Sequence, residues 1–170
     1  MELRWAGPED AALVEEALLG IADADPAQPA AGLEQLRGDP ALSRCPVDFA
    51  AEGAAAEEVA PRRPFGVVAE LAGRPVGLVW TVFSPADAPG PGFVSAEAPE
   101  VRLWVRDGFR GRGIGRTLLG SLVLEAQARR LPGLSVSVDA FSPAVRLFFE
   151  AGFRTVGAGG HGETMLLSLR

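Results

Sequence analysis

The chain has 170 residues, room for one domain with a sizeable core, and its uninterrupted apolar runs fall far short of the roughly 18 residues that a membrane-spanning helix needs. All 16 basic residues are Arg, the net charge is -6, and one Cys with one His supplies neither a disulfide framework nor a four-ligand zinc site. These features exclude a second domain, a membrane span, a zinc centre and a nucleic-acid partner, and Met1-Glu2-Leu3-Arg4-Trp5 has no apolar stretch behind a basic start, so a cytoplasmic protein is expected. Residues 1–99 hold 6 Arg against 16 Asp and Glu, whereas residues 100–170 hold 10 Arg against 6 acids. The second part therefore suits an anionic ligand and the first a cationic one.

Residues 2–5 predict a short strand, and Gly7-Pro8-Glu9-Asp10 a helix start with Pro and acids in the first turn. Leu13, Val14, Ala17, Leu18 and Ile21 follow at helical spacing until Asp25-Pro26. From 27 to 64 the chain is rich in Ala, Pro and acids, with short helices suggested over 31–37 and 53–59; so long a stretch with so little pattern is either a disordered insert or a lid over a site. Residues 65–71 and 76–83, joined through Ala72-Gly73-Arg74-Pro75, predict a hairpin. Residues 84–99 are a Pro- and Gly-rich loop, and 101–105 the next strand. Ile114, Leu118, Leu119, Leu122, Val123 and Ala126 trace a long amphipathic helix that stops at Pro132-Gly133. A strand over 134–138, a helix with Ser142 as cap and Pro143 as first residue, a closing Gly152 and a strand over 165–169 complete the chain. This alternation predicts an α/β architecture with a crossover.

The segment Arg106-Asp107-Gly108-Phe109-Arg110-Gly111-Arg112-Gly113-Ile114-Gly115-Arg116 links a strand to a helix. Its glycines let the backbone approach a ligand closely, the free N–H groups of the helix N-terminus point at whatever sits there, and Arg110, Arg112 and Arg116 add positive charge, a combination matched to a pyrophosphate. A Walker loop is absent, since it needs a Lys. Gly157-Ala158-Gly159-Gly160-His161-Gly162 fits G-x-G-x-x-G literally but has no helix after it, and is expected to be a flexible turn between strands.

Placed between a strand and a helix, Arg110-x-x-Gly113-x-Gly115 resembles the acetyl-CoA signature of the GNAT superfamily of N-acetyltransferases. Leu103-Trp104-Val105, Ser142-Pro143-Ala144-Val145-Arg146-Leu147 and Gly152-Phe153 also look like family positions, so the match covers 100–170, while the earlier elements agree only in order. The resemblance implies one GNAT domain over 1–170: a mixed, twisted sheet flanked by helices, whose central strands at 101–105 and 134–138 splay so that pantetheine lies between them. It further implies that the main chain of Trp104 and Val105 pairs with the pantetheine arm and that Arg110, Gly111, Arg112, Gly113, Ile114, Gly115 and Arg116 hold the pyrophosphate. The implied reaction moves acetyl from acetyl-CoA to a primary amine, on a small molecule or a peptide, by direct attack in a ternary complex. A homodimer is the family-based expectation for assembly.

Two positions depart from the family. Phe141 and Phe148 stand where an Asn and a Tyr are common, and the Tyr hydroxyl would protonate the departing thiolate; Phe148 is expected to face the sulfur of CoA. An amine must be neutral to attack, and Glu100 at the entrance of the central strand is the first candidate to take its proton, ahead of Glu70, Asp139 and His161. Cys45 has no partner in view. Two rival readings remain at this point, a CoA-binding module without transfer and an interaction domain built on residues 27–64.

Overall fold

The computed structural model describes residues 1–23, 63–159 and 162–170. All but the last two residues of the 27–64 stretch lie outside the described residues, as do Cys45 and His161. The elements are β1 (Glu2–Trp5), a 3-10 turn (Pro8–Asp10), α1 (Ala11–Asp23), β2 (Gly66–Leu71), β3 (Arg74–Val82), β4 (Glu100–Val105), α2 (Ile114–Ala128), β5 (Gly133–Asp139), α3 (Ala144–Glu150), β6 (Arg154–Gly159) and β7 (Gly162–Ser168).

The strands form one seven-stranded mixed sheet in the order β1-β2-β3-β4-β5-β7-β6. Only β4 and β5 run parallel, joined by the crossover helix α2; the remaining neighbours are antiparallel. The β2–β3 hairpin is tighter than its sequence suggests: Leu71 faces Arg74, and Ala72 and Gly73 both have positive φ, at 50° and 73°, which twists the two-residue turn with the strands. The segment read as a flexible turn is corrected as well, because Gly157–Gly159 belong to β6 and pair with β7 from Gly162 to Thr164. Glycine and alanine carry no strand signal of their own, so that ladder depends on its partner. At α3 the cap moves by one residue to Pro143, and Ser142 Oγ accepts the Ala144 N–H at 3.2 Å.

Alternation in the strands builds two cores. Val67, Val79, Val101, Leu134 and Val136 face α2, whose Leu118 and Leu122 are wholly buried; burial of each such leucine contributes about 2 to 3 kcal/mol. Val68, Leu78, Trp80 and Trp104 face Leu13, Val14, Ala17 and Leu18 of α1 on the opposite side.

A polar clamp fixes where α1 enters. Arg4 Nη1 and Nη2 each donate to a carboxylate oxygen of Asp10 at 2.7 Å, Arg4 Nε donates to Glu70 at 2.8 Å, and the Gly7 N–H donates to Asp10 at 2.9 Å. Burial works to raise the Asp10 carboxyl, but the Arg4 guanidinium and the Gly7 N–H outweigh it and hold the group below its ordinary range. Because the carboxyl titrates lower in the folded than in the unfolded chain, its contribution is complete at neutral pH and is lost as pH falls below about 4. Asp10→Asn should therefore cost about 1 to 2 kcal/mol at pH 7, the Arg4 side chain being 36% exposed and its ion pair partly screened. Urea unfolding at pH 7 and pH 3 checks this; a cost as large at pH 3 as at pH 7 would refute the assignment.

Candidate active site

The sheet parts at its centre. β4 and β5 share a single register pair, Glu100 with Ser135, fixed by the Ser135 N–H donating to the Pro99 carbonyl at 3.0 Å. Both strands continue beyond that point without pairing with each other, so a gap opens between Val101–Val105 and Val136–Asp139. The Arg106 N–H donates to the Val76 carbonyl at 2.9 Å, which sets the alternation along β4. The main chain of Glu100, Arg102 and Trp104 turns toward β3, and that of Val101, Leu103 and Val105 toward the gap. Trp104 thus pairs through its backbone with Leu78, and its buried indole packs under α1. Leu103, a family position in the sequence to which the resemblance assigns no role in holding the pantetheine arm, has its main chain at the gap beside that of Val105. The Val105 carbonyl already accepts Arg110 Nε at 3.0 Å, leaving its N–H free to face a ligand.

The loop from Arg106 to Gly113 sits at the open end of this gap. Gly108, Gly111 and Gly113 have φ of 80°, 74° and 81°, a left-handed conformation that disfavours side chains, and a Cβ on any of them would meet nothing within 4 Å. The loop surface is therefore open. Gly113 caps α2 without a side-chain bond, and the N–H groups of 111–116 make no hydrogen bond among the described residues. Ile114 is buried and anchors the helix in the core, whereas Gly115 serves packing, since a Cβ there would lie 3.3 Å from Leu147 of α3.

The three arginines divide. Arg112 stacks its guanidinium 5.4 Å from the centre of the Phe109 ring and has no carboxylate partner among the described residues. Arg110 lies 3.2 Å from Asp107, and Arg116 is ion-paired with Glu150 of α3. The Glu150 carboxyl is held below its ordinary range by Arg146 and Arg116. The chemistry of this set, open N–H donors with one uncommitted guanidinium, fits a pyrophosphate.

Glu100 stands at the apex of the gap and is 3% exposed. Its Oε2 accepts the Gly92 N–H at 3.1 Å, which ties the 84–99 loop down over it. Oε1 lies 3.2 Å from Arg102 Nη2, close enough for an ion pair but out of hydrogen-bond alignment, so both atoms lack a hydrogen-bond partner. Of the other candidate carboxylates, Glu70 in β2 accepts Arg4 Nε at 2.8 Å, and Asp139 accepts the Phe141 N–H at 2.7 Å. Phe148 is buried in the core on the α2 face, edge-on to Phe153 at 5.2 Å between ring centres, while Phe141 is 94% exposed. Among the described residues no group of His, Cys, Asp and Glu is placed to hold a metal ion, and no helix is long and apolar enough to cross a membrane.

Residues 31–153 match the model of the acetyltransferase (GNAT) family. No curated protein sequence is similar enough to count as a relative. Among solved structures, the Salmonella typhimurium protein yncA, determined with its cofactor acetyl-CoA, superimposes with a TM-score of 0.67 at 19% identity, covering 100% of this chain and 94% of that one. Ribosomal-protein-alanine N-acetyltransferase from Brucella melitensis gives 0.63 at 24% identity, covering 98% and 97%. The spermidine/spermine N-acetyltransferase SpeG from Vibrio cholerae gives 0.59 at 18% identity, covering 99% and 94%. At these identities the likenesses speak for the fold. With the family model spanning the parted strands and the glycine-arginine loop together, the chain belongs to the GNAT acetyltransferase family and is an acyl-CoA-dependent N-acyltransferase that uses acetyl-CoA.

Proposed function

We propose that this chain transfers the acetyl group of acetyl-CoA to a primary amine by direct attack in a ternary complex. The observation that carries the reading is the parting of β4 from β5 at Glu100 and Ser135, in line with the open N–H groups of residues 111–116. Acetyl-CoA supplies an activated acyl group on a thioester. The N–H groups of 111–116 and Arg112 hold the pyrophosphate, Arg110 and Arg116 add to the positive field, and the main chain of Leu103 and Val105 bonds the pantetheine arm along the free edge of β4. An N–H of that edge polarises the thioester carbonyl, which strengthens as negative charge gathers on the oxygen.

The acceptor arrives on the α1 face of the sheet, the side on which Glu100 lies opposite Val82. An ammonium with a pKa near 10 must lose its proton before it attacks, and Glu100 receives it. As the new C–N bond forms the C–S bond breaks, the attacking nitrogen gives its second proton to solvent, and the thiolate takes one from solvent, because Phe148 has no hydroxyl to donate. The named activities of the similar structures, on ribosomal-protein alanine and on spermidine, both concern amines and support that class of acceptor.

Replacing Arg112 with Glu places like charge against the phosphates. CoA should bind at least tenfold more weakly, about 1.4 kcal/mol, with the loss shrinking as salt rises. Calorimetry at two ionic strengths reads this directly; unchanged affinity would displace the pyrophosphate from the loop. Release of free thiol from acetyl-CoA over a panel of amines tests transfer itself, and CoA binding without any release would favour a module that holds the cofactor and does not transfer.

A further inference from the structure

Six buried polar side-chain atoms among the described residues lack hydrogen-bond partners; Arg106 Nε lies beyond the end of β4 against α1, and the other five, Trp80 Nε1, Ser84 Oγ, Glu100 Oε1, Arg102 Nη2 and Ser135 Oγ, gather on one face of the sheet. Each such atom costs about 1 to 3 kcal/mol when left unmade, and native proteins seldom concentrate them without a use. They are neighbours by register. Arg102 faces Trp80 across β3–β4, Glu100 faces Ser135 across β4–β5, and Ser84 follows Val82, the partner of Glu100, by two residues. A Cβ on Gly90 would lie 2.7 Å from Glu100 Oε2 and 3.2 Å from Ser84 Oγ, so the 84–99 loop closes directly over the group. The cluster is on the α1 face, at the apex of the gap.

A simple amine would satisfy Glu100 Oε1 alone and leave the indole N–H and the guanidinium unmatched. Donors outnumber acceptors here: one guanidinium nitrogen, one indole N–H and two hydroxyls that can donate, against one carboxylate oxygen. Glu100 and Arg102 also form a misaligned ion pair, 3.2 Å apart, whose two charges complement a dipole of opposite sense. We infer that the acceptor is amino-acid-like, an amine with an anionic group beside it, and that Arg102, Trp80, Ser84 and Ser135 bind that anionic group while Glu100 faces the amine. This rests on the reading that the acceptor is an amine, and it goes further by fixing what stands next to that amine.

The test is steady-state kinetics with matched sets of an α-amino acid, its amide and the decarboxylated amine, over varied side chains, each at saturating acetyl-CoA. A site built to bond a polar group rejects the analogue that lacks it, so at least one amino acid should exceed its decarboxylated amine by 100-fold or more in kcat/KM. The amide, whose amine is less basic and more often neutral, should also lose despite that advantage. Trp80→Phe, which keeps an aromatic ring but removes the N–H, and Ser135→Ala, which keeps the chain in place should the first variant fold poorly, should each reduce this ratio at least tenfold through the KM of the amino acid. A purely structural role would lower all three substrates together and leave the ratio alone. Turnover of decarboxylated amines as fast as of their amino acids overturns the inference and leaves the acetyltransferase reading standing. Turnover of no amine at all, with CoA binding intact by calorimetry, overturns the amine reading and this inference with it.

Discussion

Glu100→Gln should lower kcat roughly 10²- to 10⁴-fold, or about 3 to 5.5 kcal/mol of barrier, with CoA affinity unchanged. Glutamine keeps the shape and an oxygen for the Gly92 N–H, but it cannot accept a proton from the acceptor ammonium. It also leaves Arg102, whose side chain is 11% exposed, without its counter-charge, and breaking a buried pair from one side commonly costs 3 to 5 kcal/mol. Rates must therefore be read where near-ultraviolet circular dichroism shows the variant folded. The double variant Glu100→Gln with Arg102→Gln removes the stranded charge and should regain stability without regaining turnover, read on decarboxylated amines that carry no anionic group for Arg102 to bind. If turnover returns along with stability, the glutamate held the fold and the base is elsewhere.

Gly113→Val should weaken CoA at least 100-fold, about 2.7 kcal/mol. At φ of 81° an ordinary side chain costs about 1 to 2 kcal/mol and a β-branched one more, so the loop will leave its conformation and turn the N–H groups of 111–116 away from the phosphates. The control is Gly120→Ala in the same helix, where a Cβ meets nothing within 4 Å. That change should stabilise α2 by roughly 0.5 to 1 kcal/mol and leave CoA binding as it was. Equal effects of the two substitutions on calorimetric affinity would mean that the loop conformation does not serve the cofactor.

What the sequence disclosed depended on how local each cause is. The 3.6-residue spacing of Ile114, Leu118 and Leu122, and the glycines and arginines ahead of them, are properties of a few neighbouring residues, and both α2 and the open glycine loop that leads into it were legible from them. β6 was not, because Gly157, Ala158 and Gly159 are held as a strand by the opposing Gly162–Thr164 rather than by any propensity of their own. The main-chain facing of β4 was also hidden. Whether Trp104 or Leu103 opens onto the gap is decided by which residues β3 takes up, and a single strand's alternation shows its faces but not its edges. Arg102 and Trp80 escaped notice for a related reason: a charge in a strand suggests solvent until the partner across the ladder is known. The pattern Glu100-Val101-Arg102-Leu103-Trp104, with its charges on one face of an otherwise apolar strand, was the available signal.

A sheet usually has two edges, both at its margins, and an exposed edge invites pairing with a foreign strand. The parting after Glu100 and Ser135 gives this one a second pair of edges in the middle, each backed by a completed ladder, β4 on β3 and β5 on β7. On the proposed binding mode the pantetheine arm becomes the missing thread of the fabric, and takes up hydrogen bonds that would elsewhere make a protein stick to its neighbours.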